Sequence, residues 1–152
     1  MAGQGIERIV IGVDGSDQSA AALGWAIRLA IGMGSEVIAV FALDVPLWLV
    51  EPYVGAPPPR PDLEWRMELE QAFNDQWCKP LREAGVKYQA IMDDGRPATV
   101  IKSIAEGMDA ELIVLGRRGR GEVTELVLGS VSHEVALHSK LPVLLISHHT
   151  DG

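Results

Sequence analysis

Three glycines and a serine hold the most specific spacing in this 152-residue chain. Gly116 and Gly119 are separated by two residues, and Gly129-Ser130 follows after nine more. Glycine lets backbone N–H groups approach a phosphate with no Cβ in the way. It can also adopt a φ above zero, which Gly129 is expected to use if the turn requires it. Ser130 opens a segment with helical periodicity. A helix N-terminus carries N–H groups without intrahelical partners and a partial positive charge, so it attracts phosphate. Ser130 and Ser132 can add hydroxyl donors. Arg117, Arg118 and Arg120 can add charge-assisted contacts, although three loop arginines are equally well read as a solvated patch. Ser130 can be a plain N-cap as well, a role compatible with donating to phosphate. These residue types suit the holding of a phosphate. Its transfer needs a positioned base or water, and no residue is nominated for that, so hydrolysis is expected to be slow at best.

Other constellations are weaker. No G-x4-G-K-[ST] occurs, which excludes a P-loop NTPase. The first turn, Gly12-Val13-Asp14-Gly15-Ser16-Asp17, does not read G-x-G-x-x-G, so dinucleotide binding lacks support. His133 and His138 are five apart, off the i, i+4 spacing of a helical metal pair, and His148-His149 lies in the tail. No Ser-His-Asp or paired-carboxylate arrangement follows from spacing.

The loop must be positioned by the elements around it. Short apolar runs at Arg8–Val13, Glu36–Phe41, Tyr88–Met92, Leu112–Leu115 and Val143–Ile146 alternate with longer periodic segments. All but the third lack apolar/polar alternation, as parallel strands buried on both faces require. The first helix is expected to be capped by Ser16 or Asp17, to bury Ala22, Trp25, Ala26, Leu29 and Met33, and to end at Gly32 or Gly34. The second starts near Asp62 with Leu69, Phe73, Trp77 and Leu81 at steps of four, and Pro80 kinks it or ends it early. Pro97 starts the third, with Val100, Ile101, Ile104 and Ala105 on one face. The fourth spans Ser130 to His138. This β-α alternation specifies an α/β fold: one doubly wound, five-stranded parallel sheet of order 3-2-1-4-5 with helices on both faces. Ligands of such sheets bind at the switch point beyond the carboxyl ends of the first and fourth strands. There lie Asp14-Gly15-Ser16 and the loop from Gly116. Residues 1–152 are read as one domain. Its one long irregular segment is the Pro-rich stretch Asp44–Pro61, either a packed surface loop or a lid or interface.

Composition narrows the partners. The formal net charge is −8, with 21 acidic and 13 basic residues. Such a domain repels nucleic acid and anionic membranes. Cys78 is the one cysteine, so no internal disulfide can form, and a small half-buried apolar role is its plain reading. Met1–Arg8 lacks the apolar core of a signal peptide. The most apolar stretch, Val37–Val50, is short and broken by Asp44 and Pro46. A soluble, cytoplasmic protein is expected.

The run GRRGRGEVTELVLGS, Gly116 to Ser130, resembles the nucleotide-binding motif of the universal stress protein family, G-x2-G-x9-G-S, at every defined position. Ile9–Ser16, Gly95–Ala98, Ala110–Leu115 and Leu141–Ile146 are similar to other family segments, and the likeness spans about Glu7 to Ser147. The Pro-rich stretch is not matched. The resemblance implies bound ATP, or AMP or cyclic AMP, with Mg²⁺ as a companion near Asp14. It places Gly116, Gly119, Gly129, Ser130, Val131 and Ser132 on phosphate and ribose, with Arg117 beside them. Asp14 falls near the ribose and Val40 against adenine at the end of the second strand. Asp14 also has the simpler role of capping its own loop or helix. An ATP-binding regulatory protein of the stress response is the leading expectation. A weak ATPase or autophosphorylating enzyme, with Ser130, Ser132 or Thr124 as acceptor, is the alternative. A dimeric interaction module without a ligand is another. The fifth strand, Val143–Ile146, is an apolar edge with no lysine or mid-strand proline to blunt it, so a homodimer is expected through it.

Overall fold

The structure, a computed structural model, describes residues 5–44, 63–117 and 128–148. The elements run β1 (Arg8–Gly12), α1 (Asp17–Met33), β2 (Glu36–Leu43), α2 (Leu63–Ala72), a π-helical turn (Phe73–Trp77), α3 (Lys79–Ala84), β3 (Tyr88–Asp94), α4 (Pro97–Gly107), β4 (Leu112–Gly116), α5 (Ser130–His138) and β5 (Val143–Ile146). All strand pairs are parallel and the order is β3-β2-β1-β4-β5. The expected doubly wound α/β sheet is therefore the one observed.

Strand alternation divides the core between the two faces. Ile9 and Ile11 of β1 pack with Ala22, Leu23, Ala26, Phe73 and Leu81. Val10, with Ile38, Val40 and Ile113, packs with Ile101, Ala105 and Val135 of α4 and α5. Val10 pairs with Ile38 on one side and Ile113 on the other, which fixes the register at the centre. Each such side chain contributes about 1.5–3 kcal/mol by burial. Truncating Ile113 to alanine would cost about 2–5 kcal/mol. β3 is an edge strand and only partly buried, which explains its weaker apolar pattern.

Three local expectations are corrected. In α1, Ser16 caps the start and Gly34 ends the helix at φ 69°, as expected. The buried stripe, however, is Ser19, Ala22, Leu23, Ala26, Ile27 and Ala30. Trp25 is 43% exposed and Met33 36%. Small residues let α1 lie close to the sheet, while the Arg28 guanidinium covers the Trp25 ring at 4.3 Å.

The second correction concerns Pro80. It neither kinks nor simply ends one helix, because the chain breaks before it and Pro80 sits in the first turn of a new helix, α3. There its missing N–H has no intrahelical role. The preceding π turn has its own reason. In an α-helix, residues four apart drift by about 40° around the axis. The wider turn, closed by Cys78 N–H donating to Phe73 O at 3.0 Å, takes up that drift. Phe73 and Leu81 are then both buried, with Trp77 packed beside them. Arg82 donates to the carbonyls of Asn74 and Asp75, the latter at 2.7 Å, and so satisfies acceptors that the turn releases. Third, β2 continues to Leu43, so Val40 lies inside the strand and not at its end.

Candidate functional site

The carboxyl ends of β1 and β4 are adjacent, and the loops leaving them frame a cleft. On the β1 side, Val13 N–H donates to Val40 O at 2.9 Å, which continues the sheet by one bond. Asp14 then turns the chain. Its Oδ1 accepts from Ser16 N–H at 2.9 Å, and its own N–H donates to Ser19 Oγ at 3.3 Å. Ser16 Oγ accepts from Ser19 N–H at 3.1 Å as the α1 cap. The loop is thus held by its own short polar side chains. Asp14 performs the capping role and lines the cleft at the same time.

On the β4 side the loop is tied at its base. Arg117 N–H donates to Ile146 O at 2.8 Å, and Gly129 N–H donates to Arg117 O at 3.0 Å. Ser132 is buried, and its Oγ donates to Gly116 O at 2.7 Å. These bonds hold the N-terminus of α5 against the end of β4. Gly129 is the N-cap residue at φ −61°, ψ 158°. That is ordinary extended backbone, so the expected use of a positive φ is corrected. Ser130 stands exposed at the first helical position. Val131 and Ser132 follow at the second and third, where helix geometry gives N–H groups no intrahelical partner. The Ser132 hydroxyl is committed to Gly116. Gly116 itself answers to packing, since a Cβ there would lie 2.9 Å from the Gln18 carbonyl group of α1. The Gln18 amide in turn brackets the backbone of His148, donating to its O at 2.8 Å and accepting from its N–H at 3.2 Å.

The cleft has two adjoining chambers. The inner one, about 100 Å³, is bounded by Gly12, Val13, Asp14, Val40, Leu115 and Gly116 among others. A Cβ on Gly12 would come within 2.7 Å of a Leu115 methyl and 3.0 Å of Ile101 of α4, so a larger residue there would press those side chains aside. The outer chamber, about 550 Å³, is walled on one side by Phe41, Leu43, Trp65 and Leu69 and on the other by Gly129, Ser130, Val131 and Ser132. Asp14, Ala42, Pro97, Val131 and Ser132 belong to both chambers. The outer volume lies within the range of small-molecule sites. The N-termini of α4 and α5 both reach it, through Pro97 and Ser130, and both bring partial positive charge. Arg96, just before α4, pairs with Glu134 of α5 at 3.1 Å and ties the two helices together.

The structure therefore gathers Asp14, Val40, Gly116, Gly129, Ser130, Val131 and Ser132 around one cleft, with Arg117 at the loop base. Gly119, Arg118, Arg120, Thr124 and nearly all of the Pro-rich stretch lie outside the described residues. Ala42, Pro97 and Trp65 were missed as lining residues. Ala42 had a signal, since it is two residues beyond Val40 and shares its face. Among the described residues, no group of three or more His, Cys, Asp and Glu can hold a metal, and no helix is long and apolar enough to cross a membrane.

A sheet of this order with a glycine-bounded loop at its switch point defines a class of doubly wound α/β domain, and comparison narrows it. The profile of the universal stress protein family matches residues 5–147. The chain belongs to that family. It is 34% identical over 146 residues to a universal stress protein of Methanocaldococcus jannaschii, covering 92% of this chain and 81% of the relative. Among solved structures, a protein described as hypothetical protein MJ0577 aligns with a TM-score of 0.74 at 27% identity over 96% of this chain and 99% of that one. A universal stress protein in complex with cAMP aligns at TM-score 0.67 and 24% identity, covering 95% of this chain and 98% of that one. One from Archaeoglobus fulgidus in complex with dAMP aligns at 0.68 and 23%, covering 93% and 97%.

Proposed function

We propose that this chain binds an adenine nucleotide, ATP in the first instance, in the two-chambered cleft, and that occupancy sets its regulatory state in a stress response. The observation that carries the reading is the N-terminus of α5, held at the switch point by the Ser132–Gly116 and Gly129–Arg117 bonds and bordering the larger chamber. Phosphates would be held by the backbone N–H groups of Val131 and Ser132 and by the Ser130 hydroxyl, with Gly116, Gly119, Gly129 and Arg117 shaping the loop. Asp14 would meet the ribose, and Val40 and Ala42 would form the apolar floor for the base. The dimensions and the donor set fit such a ligand. Relatives of the same fold with cAMP and dAMP support the adenine class. AMP and cyclic AMP are competing ligands, and Mg²⁺ would accompany a triphosphate with Asp14 as the nearest carboxylate. A bound nucleotide supplies the charge that these residues neutralise. The chain's own residues bind and orient it.

The reading includes a homodimer through β5. Val143, Leu144 and Leu145 are only partly buried at the sheet edge. Protein denatured straight after purification should release adenine nucleotide, and stripped protein should titrate with ATP in a calorimeter. The absence of both nucleotide release and binding heat would refute the proposal.

A further inference from the structure

We infer that Trp77 is a positioning residue for the nucleotide site, bracing the β1–α1 loop from behind and so fixing Asp14. The inference rests on the nucleotide reading above. Trp77 lines neither chamber. Its indole instead lies against Gly15, where an added Cβ would fall 2.5 Å from Cζ2 and 2.7 Å from Cε2. Gly15 is at φ 83°. Glycine is thus required twice over, for the turn and for the ring that covers it.

Gly15 is the link between Asp14, which borders both chambers, and Ser16, which caps α1. Asp14 Oδ1 is bonded to Ser16 N–H across that same residue. A shift of Gly15 therefore moves the Asp14 carboxylate directly. The indole has a second point of support. It stacks on Phe41 with centroids 5.0 Å apart and planes at 28°, and Phe73 meets both rings edge-on. Phe41 is part of the outer chamber wall. One side chain thus backs two walls of the cleft.

The π turn is what delivers it. Without the wider turn over Phe73–Trp77, the drift of steps of four would rotate Trp77 away from Gly15 while Phe73 kept its place. A π turn found beside a binding loop is a feature such sites often carry. A residue that merely filled the core would change stability alone. A positioning residue acts through Asp14, and that difference can be measured.

ATP should be titrated into the parent, Trp77→Phe, Trp77→Leu, Asp14→Asn and the Trp77→Leu/Asp14→Asn double variant. Asp14→Asn should weaken binding by about 10- to 150-fold, the worth of one hydrogen bond to a charged group. Trp77→Leu should lose about tenfold, and Trp77→Phe, which keeps a ring against Gly15, should stay within about threefold of the parent. The double variant should bind no more weakly than Asp14→Asn alone, because both changes remove the same placed carboxylate. If Trp77→Leu does not fold, Trp77→Met carries the test at the same position and should show the same non-additivity. Losses that multiply in the double variant, or a Trp77→Leu protein that binds like the parent, would overturn the inference while leaving the nucleotide reading intact. A parent that binds no nucleotide would remove both.

Discussion

Replacing Ser132 by alanine separates a hydroxyl that builds the site from one that serves it. Ser132 is 3% exposed, and its Oγ–H reaches Gly116 O at 2.7 Å. The substitution deletes that bond and leaves a partly buried carbonyl without its donor, at a cost of about 1–3 kcal/mol. Ser130→Ala, one turn position outward and exposed, should leave stability within about 0.5 kcal/mol. It should instead weaken ATP binding by about 10- to 150-fold through loss of a donor to a charged group. Urea denaturation of both variants, followed by calorimetric titration of each, reads the two effects separately. Ser132→Ala with parental stability, or Ser130→Ala with parental affinity, would show that the roles derived from their burial and partners are wrong.

Burial pushes the Cys78 thiol up to about 11 against an ordinary 9.0, with Arg82 opposing weakly, so the native protein should resist thiol reagents at pH 8 and react fully when unfolded. The unfolded thiol ionises near 9 while the folded one stays protonated, so stability should fall by about 1.4 kcal/mol per pH unit from there to the folded value. Urea titrations across that range should lose this slope in Cys78→Ala. Light scattering at micromolar concentration should give twice the monomer mass, and a charge introduced by Leu144→Lys should shift it toward the monomer. Arg117→Ala should cost less affinity than Ser130→Ala, and raising salt should shrink its effect, as calorimetry at two ionic strengths would show.

What was legible in the sequence follows from what each signal depends on. Strands buried on both faces must be continuously apolar, so the runs Arg8–Val13 and Leu112–Leu115 announced β1 and β4, and the switch point followed from β-α order alone. Strand ends were less legible. The apolar run passes Val40 into Phe41, Ala42 and Leu43 without a turn residue before Asp44, so nothing local marked where β2 stops. Hydrophobicity does not mean burial at Trp25, because α1 approaches the sheet through alanines and the large ring stays at the surface beneath Arg28. Pro80 marks the break that precedes it, but the π turn before that break depends on competition between helical drift and a buried Phe73–Leu81 pair, which no single residue type encodes. In the site, the glycine spacing was readable but its reasons were not. Gly116 accommodates Gln18, and Gly129 has an ordinary φ. The first arises from long-range packing, and the second is the ordinary extended geometry of an N-cap residue.

Gly129 sits at φ −61°, ψ 158°, so a valine there meets no backbone strain. Its side chain would nevertheless stand at the N-terminus of α5, on the wall of the outer chamber. Calorimetric titration of folded Gly129→Val with ATP is therefore the most direct test of the cleft as the nucleotide site. A variant with the parental circular dichroism spectrum and no detectable ATP binding is the predicted result, and the same spectrum with parental affinity would contradict it.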